Sequence, residues 1–237
     1  MKKNPPKLFL FLVLISVLGS CKQEQQQPKP KLAQTVFYEI FPALLDSIFY
    51  DKRVIPLAPP PPPEYYKDKP YKNFDDWMKS DEYKGIIKDW EKMRDSIVQD
   101  TTSIYLVVCD SVTNSEKDDK QKFIQYLKKE NISTDSIIYS MGFRIDLSKL
   151  TTTNKKIKFK YLSEFPKGRK FWRTEYDFYI AATIGFTRLY FNQTKTHGVM
   201  NIGYTMGVLN GYGVRVFIKK NKDGKWVIDD TAGTWIS

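Results

Sequence analysis

The sequence predicts an α+β fold: a curved antiparallel β-meander with helices packed on one face. Three observations predict it. Apolar runs separated by turn residues fill the last quarter, Ile184 to Ser237. Stripes at helical spacing precede them, at Leu32–Phe49 and Tyr83–Ile97. Glycine is dense where the runs meet, at Gly198, Gly203, Gly207, Gly211, Gly213 and Gly224, and glycine inside a strand marks a bulge, a bend or a close approach.

The meander runs as follows. Ile184–Phe191 is the first strand, and apolar Tyr176–Thr183 can begin it earlier. The polar turn Asn192–Thr196 leads to His197–Met206, and Gly207–Gly211 turns the chain into Tyr212–Lys220. Asn221-Lys-Asp-Gly224 is a hairpin turn, with Asp-Gly supplying the positive φ that such turns need. Lys225–Asp229 is the last predicted strand. Val214, Val216 and Ile218 alternate with Arg215, Phe217 and Lys219, which is the period of a strand. Short connections make these strands antiparallel neighbours.

Upstream, Leu32, Val36, Phe37, Ile40, Phe41, Leu44, Leu45, Ile48 and Phe49 form one wide apolar stripe. Pro42 interrupts it and predicts a kink or break near Tyr38–Phe41. Glu39 and Asp46 on the polar face favour packing on the sheet over lying on an anionic membrane. Pro59–Pro63 is a stiff polyproline spacer that closes a segment over 32–70 and leaves 71–237 as the α+β body. Ser80 caps a second amphipathic helix with Tyr83, Ile86, Ile87, Trp90, Met93 and Ile97 on one side. Ser103–Cys109 is an apolar run of strand length, and Lys117–Glu130 is a third helix with Phe123, Ile124 and Leu127 inward. Ser136–Leu147 and Lys155–Leu162 are weaker strands.

The first 31 residues read differently. Met1–Lys7 is basic, and Leu8–Gly19 is apolar but too short for a bilayer core of about 30 Å. Together they fit a secretory signal over 1–20. Leu18-Gly-Ser-Cys21 closes it. This resembles the lipobox of bacterial lipoproteins, which implies that Cys21 is lipidated and tethers the chain to a membrane. Lys22–Lys31 is polar and low in complexity, a predicted disordered leash reaching roughly 35 Å. Lys22 beside the lipidated residue is similar to the outer-membrane sorting pattern.

Three further blocks resemble a family of bacterial lipoproteins. They are the first helix with its proline run, Asp177-Phe-Tyr, and the stretch from Phe186-Thr-Arg-Leu-Tyr-Phe-Asn192 through Asn210-Gly-Tyr-Gly213 to Gly224-Lys-Trp-Val-Ile228. The resemblance implies export and carries no activity or site residues. The Asp-Gly-Lys-Trp hairpin also looks like the last hairpin of cone-shaped, NTF2-like folds.

Chemistry-bearing motifs are few. The chain has no GxGxxG, P-loop, HExxH, CxxC or GxSxG pattern. A single histidine, His197, rules out a two-histidine mechanism, and no metal or cofactor is expected. Export commits Cys21 to lipid, which leaves Cys109 without a disulfide partner. Cys109-Asp110-Ser111 is where reactive types meet, but a thiolate needs a base or a positive neighbour. Asp75-Asp76, Asp118-Asp119 and Asp229-Asp230 are the carboxylate pairs. Neighbours on a strand point to opposite faces, so Asp229 and Asp230 are not expected to form an acid/base pair.

Formal charge is +11. Nine basic residues lie between Lys149 and Arg173, with Glu164 the only acid and Phe159, Tyr161, Phe165, Phe171 and Trp172 interleaved. Lys156, Lys158, Lys160, Arg169, Lys170 and Arg173 are therefore the candidate contacts for an anionic ligand. Such a mixture suits single-stranded nucleic acid in the cytoplasm. For an exported chain, an anionic envelope glycan or lipopolysaccharide is the expected partner instead. The reading is a non-enzymatic binding or accessory lipoprotein of the cell envelope. The alternative is an envelope hydrolase using Cys109 or carboxylates that the sequence cannot pair.

Overall fold

A computed structural model of the chain describes residues 32–54, 56–116 and 118–237. The expected leader, Cys21 and leash lie outside the described residues. Leu32–Ser237 forms one compact unit. The fold is α+β, with eight strands in one mostly antiparallel sheet.

Helix α1 spans Leu32–Ile48. Eight of its side chains are buried, from Ala33 through Phe37, Phe41 and Leu45 to Ile48. Burial of each large one contributes roughly 1.5–3 kcal/mol. This packing carries the helix through Pro42 without the expected break. Phe37 meets Phe186 edge to face at 4.9 Å and Phe143 at 5.6 Å, and Phe41 meets Phe159 at 5.6 Å. Glu39 is exposed on the polar face, as expected, and also accepts a 2.9 Å bond from the Trp226 amide. The helix thus packs on the sheet, as its polar face led one to expect.

Residues 63–83 form a small aromatic knot of Tyr66, Tyr71 and Trp77. Pro62 enters it at φ −64° and ψ 159°, in polyproline II geometry. Helix α2 (Phe74–Met78) is capped by the Asn73 side chain, and α3 (Asp81–Gln99) by Ser80, whose hydroxyl accepts from the Tyr83 amide at 3.2 Å. Ser80 was the residue that the sequence pointed to. No residue of α3 is fully buried.

The strands are β1 (Ile104–Val108), β2 (Ile137–Tyr139), β3 (Ile157–Tyr161), β4 (Tyr179–Phe186), β5 (Tyr190–Asn192), β6 (His197–Gly207), β7 (Asn210–Lys220) and β8 (Trp226–Ile236). Helix α4 (Asp119–Lys129) follows β1, and the short α5 (Arg169–Arg173) follows β3. β6, β7 and β8 are the expected antiparallel meander. The far edge of β6 is shared: β5 pairs with its start and β4 with its end. β2 extends the first branch, and β1 then β3 extend the second. β1 runs parallel to both β3 and β4, which the sequence reading did not anticipate. The expected strand Ile184–Phe191 is two strands, because Thr187–Leu189 leaves the ladder between them. β8 extends to Ile236, beyond the expected end at Asp229. Register shifts along β6–β7 and β7–β8 bend the sheet.

Alternation assigns each side chain to a face. Met200, Ile202, Tyr204, Val216 and Ile218 join α1 in the main core. Val199 and Phe217 point the other way and pack under Phe123, Tyr126 and Leu127 of α4. α4 therefore covers part of the face opposite α1.

Phe37→Ala removes a fully buried ring at the centre of the α1 packing. Chemical denaturation should show a loss of about 3–5 kcal/mol. A loss below 1 kcal/mol would mean that α1 is not integral to the core.

Candidate functional site

The face opposite α1 carries two covers with a trough between them. One cover is α4. The other is the segment 162–178, whose Phe165, Phe171, Tyr176 and Phe178 form a contiguous ring cluster. Gly168 starts α5 at φ +62° and ψ −141°, backbone that only glycine adopts readily. That turn aims Arg169 and Trp172 over the sheet.

The trough has two hollows. The first, of about 370 Å³, is lined by Lys167, Gly168, Arg169, Phe171 and Trp172 on one side and by Thr183, Thr205, Gly207 and Val208 on the other. Its lining includes no acidic residue. Lys52 stands 6.0 Å from the Trp172 ring and donates to the Met206 carbonyl at 3.0 Å. The second hollow, of about 160 Å³, holds Gly185, Thr187, Asn201, Gly203, Thr234, Trp235, Thr113 and Glu116. Thr183 pairs with Thr205, and Gly185 with Gly203, in successive rows of one face. The two hollows are thus one row, roughly 7 Å, apart.

The floor is smooth because Gly185, Gly203 and Gly213 lie side by side across β4, β6 and β7. A Cβ on Gly213 would overlap the Trp235 indole and the Thr234 hydroxyl. Thr234 and Trp235 are consecutive yet share this face, because the ladder slips at Gly213/Val214.

Under α4 the trough ends in a buried ion pair. Arg215 Nη2 donates to Asp119 Oδ1 at 2.6 Å, and both side chains are nearly inaccessible. The Asn201 amide nitrogen donates to both Asp119 oxygens, at 2.8 and 3.0 Å. The Glu116 backbone amide donates to Asp119 Oδ2 at 2.9 Å. Removing one partner of such a pair costs about 3–5 kcal/mol, since the other charge stays buried.

The six basic candidates do not converge. Arg169 lines the first hollow, with Lys170 and Arg173 exposed on the same short helix. Lys158 is exposed on edge strand β3. Lys160 is shared between Glu164 at 3.7 Å and the rings of Tyr105 and Phe178. Lys156 caps the C-terminus of α3 instead, donating to the Val98 carbonyl at 2.6 Å and to Ile97 at 3.3 Å. Lys167 and Trp172, both inside the basic-aromatic stretch but not among the six candidates, belong to the wall.

The nucleophile candidate lacks its base. Cys109 is half-buried, and burial followed by the charge of Asp110 pushes its thiol above the ordinary thiol range. Its sulfur faces Gly185, which pairs with Gly203. His197 lies six residues further along β6, roughly 20 Å at the strand rise. Asp110 is engaged by the Ser163 amide and hydroxyl, at 3.0 and 2.7 Å. His197 is half-buried, and that burial lowers its pKa.

Asp229 and Asp230 form no acid/base pair, but they do not face apart as strand alternation predicted. The ladder slips between Phe217 and Ile218, so Asp230 pairs with Phe217 and Asp229 is the extra residue. Both carboxylates then act on Tyr126: Asp229 accepts its hydroxyl proton at 2.5 Å, and Asp230 adds charge nearby. Burial, then the bond to Asp229, raises the Tyr126 hydroxyl far above its usual range. Lys219 also pairs with Asp229 at 2.5 Å. The cluster is a closed ionic brace rather than an acid/base pair facing a cleft. Among the described residues no three metal-ligating side chains converge.

Asn201, Thr234 and Trp235 were not named in advance; Asp119 was named only as half of a carboxylate pair, and is buried, and Arg215 only as a strand residue. Polar Asn201 and Arg215 inside apolar strands were the available signal. No known protein family, curated protein or solved structure matches the chain.

Because its pKa is raised, Cys109 should alkylate slowly at neutral pH. The rate with iodoacetamide should climb about tenfold per pH unit and still be rising at pH 9. A rate that levels off near pH 7 would identify an activated thiolate and restore the hydrolase alternative.

Proposed function

We propose that this chain is a non-enzymatic binding lipoprotein of the bacterial cell envelope. In this reading a lipidated Cys21 tethers it to the outer membrane, and the trough takes an anionic envelope ligand such as an acidic glycan or lipopolysaccharide. One observation carries the ligand half of the proposal. Lys167 and Arg169 stand with Phe171 and Trp172 along a hollow of about 370 Å³ whose lining has no carboxylate. Cations beside aromatic faces in a partly desolvated groove hold anions more strongly than lysines in free solvent do. Lys170, Arg173 and Lys158 add a diffuse field that speeds encounter and weakens with salt. The tether half rests on the Leu18–Cys21 pattern after its apolar run.

The reversal Arg169→Glu with Lys167→Glu should weaken binding to purified lipopolysaccharide at least tenfold in low salt and flatten its salt dependence. Lys156→Glu should act through stability rather than binding, since that side chain caps α3. Intact-protein mass spectrometry of the membrane fraction should show the chain beginning at an acylated Cys21. An unmodified Met1 would remove the tether, and a reversal without effect would remove the ligand site.

A further inference from the structure

We propose that the second hollow is a subsite for a sugar ring, so that the trough as a whole takes a hexuronate-type acidic oligosaccharide. The inference rests on the anionic-ligand reading above and names the class of that ligand. Trp235 supplies the platform. Its indole lies along the glycine floor: one end packs on Gly213, Cη2 comes within 3.2 Å of a Cβ placed on Gly211, and Cζ2 within 3.5 Å of one on Gly203. The residue is nevertheless 40% exposed, so the ring presents a free side to the solvent.

Polar partners stand beside it. Asn201 is 7% exposed, and its amide nitrogen is held by both oxygens of Asp119. Exchanging oxygen and nitrogen would set the carbonyl against a carboxylate, so the amide is fixed. Its Oδ1 is then turned away from Asp119, buried and without a donor. Thr234 Oγ1 is likewise buried without a partner. Both residues line the 160 Å³ hollow, and buried polar groups in a roomy polar recess are met by water or by a ligand.

A pyranose fits this pattern on chemical grounds. It has an apolar C–H face for the indole, and its rim of hydroxyls donates as well as accepts. An aliphatic chain would leave Asn201 and Thr234 unmet. A polyphosphate has no face for Trp235 and no proton for Asn201. Glu116 at the rim disfavours an anionic group in this hollow. Lys167 and Arg169, one row away, favour it there. The ligand is therefore a chain that carries hydroxyls on one ring and a carboxylate on the next.

Calorimetry of the full mature chain with tetragalacturonate, maltotetraose and linear tetraphosphate tests this. Tetragalacturonate should bind more tightly than the other two. Trp235→Ala should weaken it by about tenfold or more, while leaving tetraphosphate within about twofold. Thr234→Val, which keeps the side-chain shape, should weaken tetragalacturonate in the same direction with the far-ultraviolet spectrum unchanged. If both variants leave tetragalacturonate binding intact, or lower both anions equally, the trough reads charge alone; the sugar subsite falls and the anionic-ligand reading stands. If neither anion binds the wild-type chain, the anionic-ligand reading falls and the sugar subsite with it.

Discussion

The seating of α1 against the sheet is the constraint from which the rest follows. Eight buried side chains close one face of the sheet along Phe186, Ile202, Tyr204 and Val216. No ligand can be received there without dismantling the core. The centre of the sheet can be reached only from the opposite face, and there the covers are partial. α4 shields the β6–β7 end and the 162–178 segment shields β1 and β4. The trough is what remains between them, and its depth comes from absent side chains in the Gly185–Gly203–Gly213 row.

That opposite face is held by different physics. It has a small apolar cluster under α4, next to Arg215, Asp119 and Asn201 in a buried polar network. Such a network stabilises weakly compared with an apolar core, because desolvating the charges offsets much of their attraction. Its geometric consequence is larger. It fixes the approach of α4 to β6 and β7, and it fixes which way the Asn201 amide points. A Leu–Leu contact in the same place would pack α4 equally well and would leave the trough without an oriented acceptor.

The sequence made most elements of the fold legible, because their signals are local. The α1 stripe, the Ser80 cap, the three-strand meander and the Asp-Gly turn each lie within a few residues. Pro42 does not end the helix, since burial of eight side chains outweighs one lost helical bond. The parallel pairing of β1 with β3 and β4 was out of reach: each strand reads as a short apolar run, and nothing local states its neighbour. The basic stretch was seen as one patch, yet only part of it faces the trough. Lys156 sits at the α3 terminus, a contact between residues 58 apart in the chain.

The least legible residues lie in β8, and the reason is mechanical. Strand alternation makes consecutive side chains oppose each other, so Asp229 and Asp230 were expected to face apart, and Thr234 and Trp235 lay beyond the last predicted strand. Two register slips against β7 undo that rule twice within one strand. The first slip brings both carboxylates to Tyr126 and braces α4 against the sheet edge. The second turns Thr234 and Trp235 together over Gly213, where no side chain competes for the space. A bulge costs ladder hydrogen bonds and leaves a residue unpaired. In an edge strand that loss is smallest, since one side of the ladder is open in any case. An edge strand is thus where a sheet can most readily re-aim two neighbouring side chains into a trough, and β8 does so beside the one glycine row that can receive an indole.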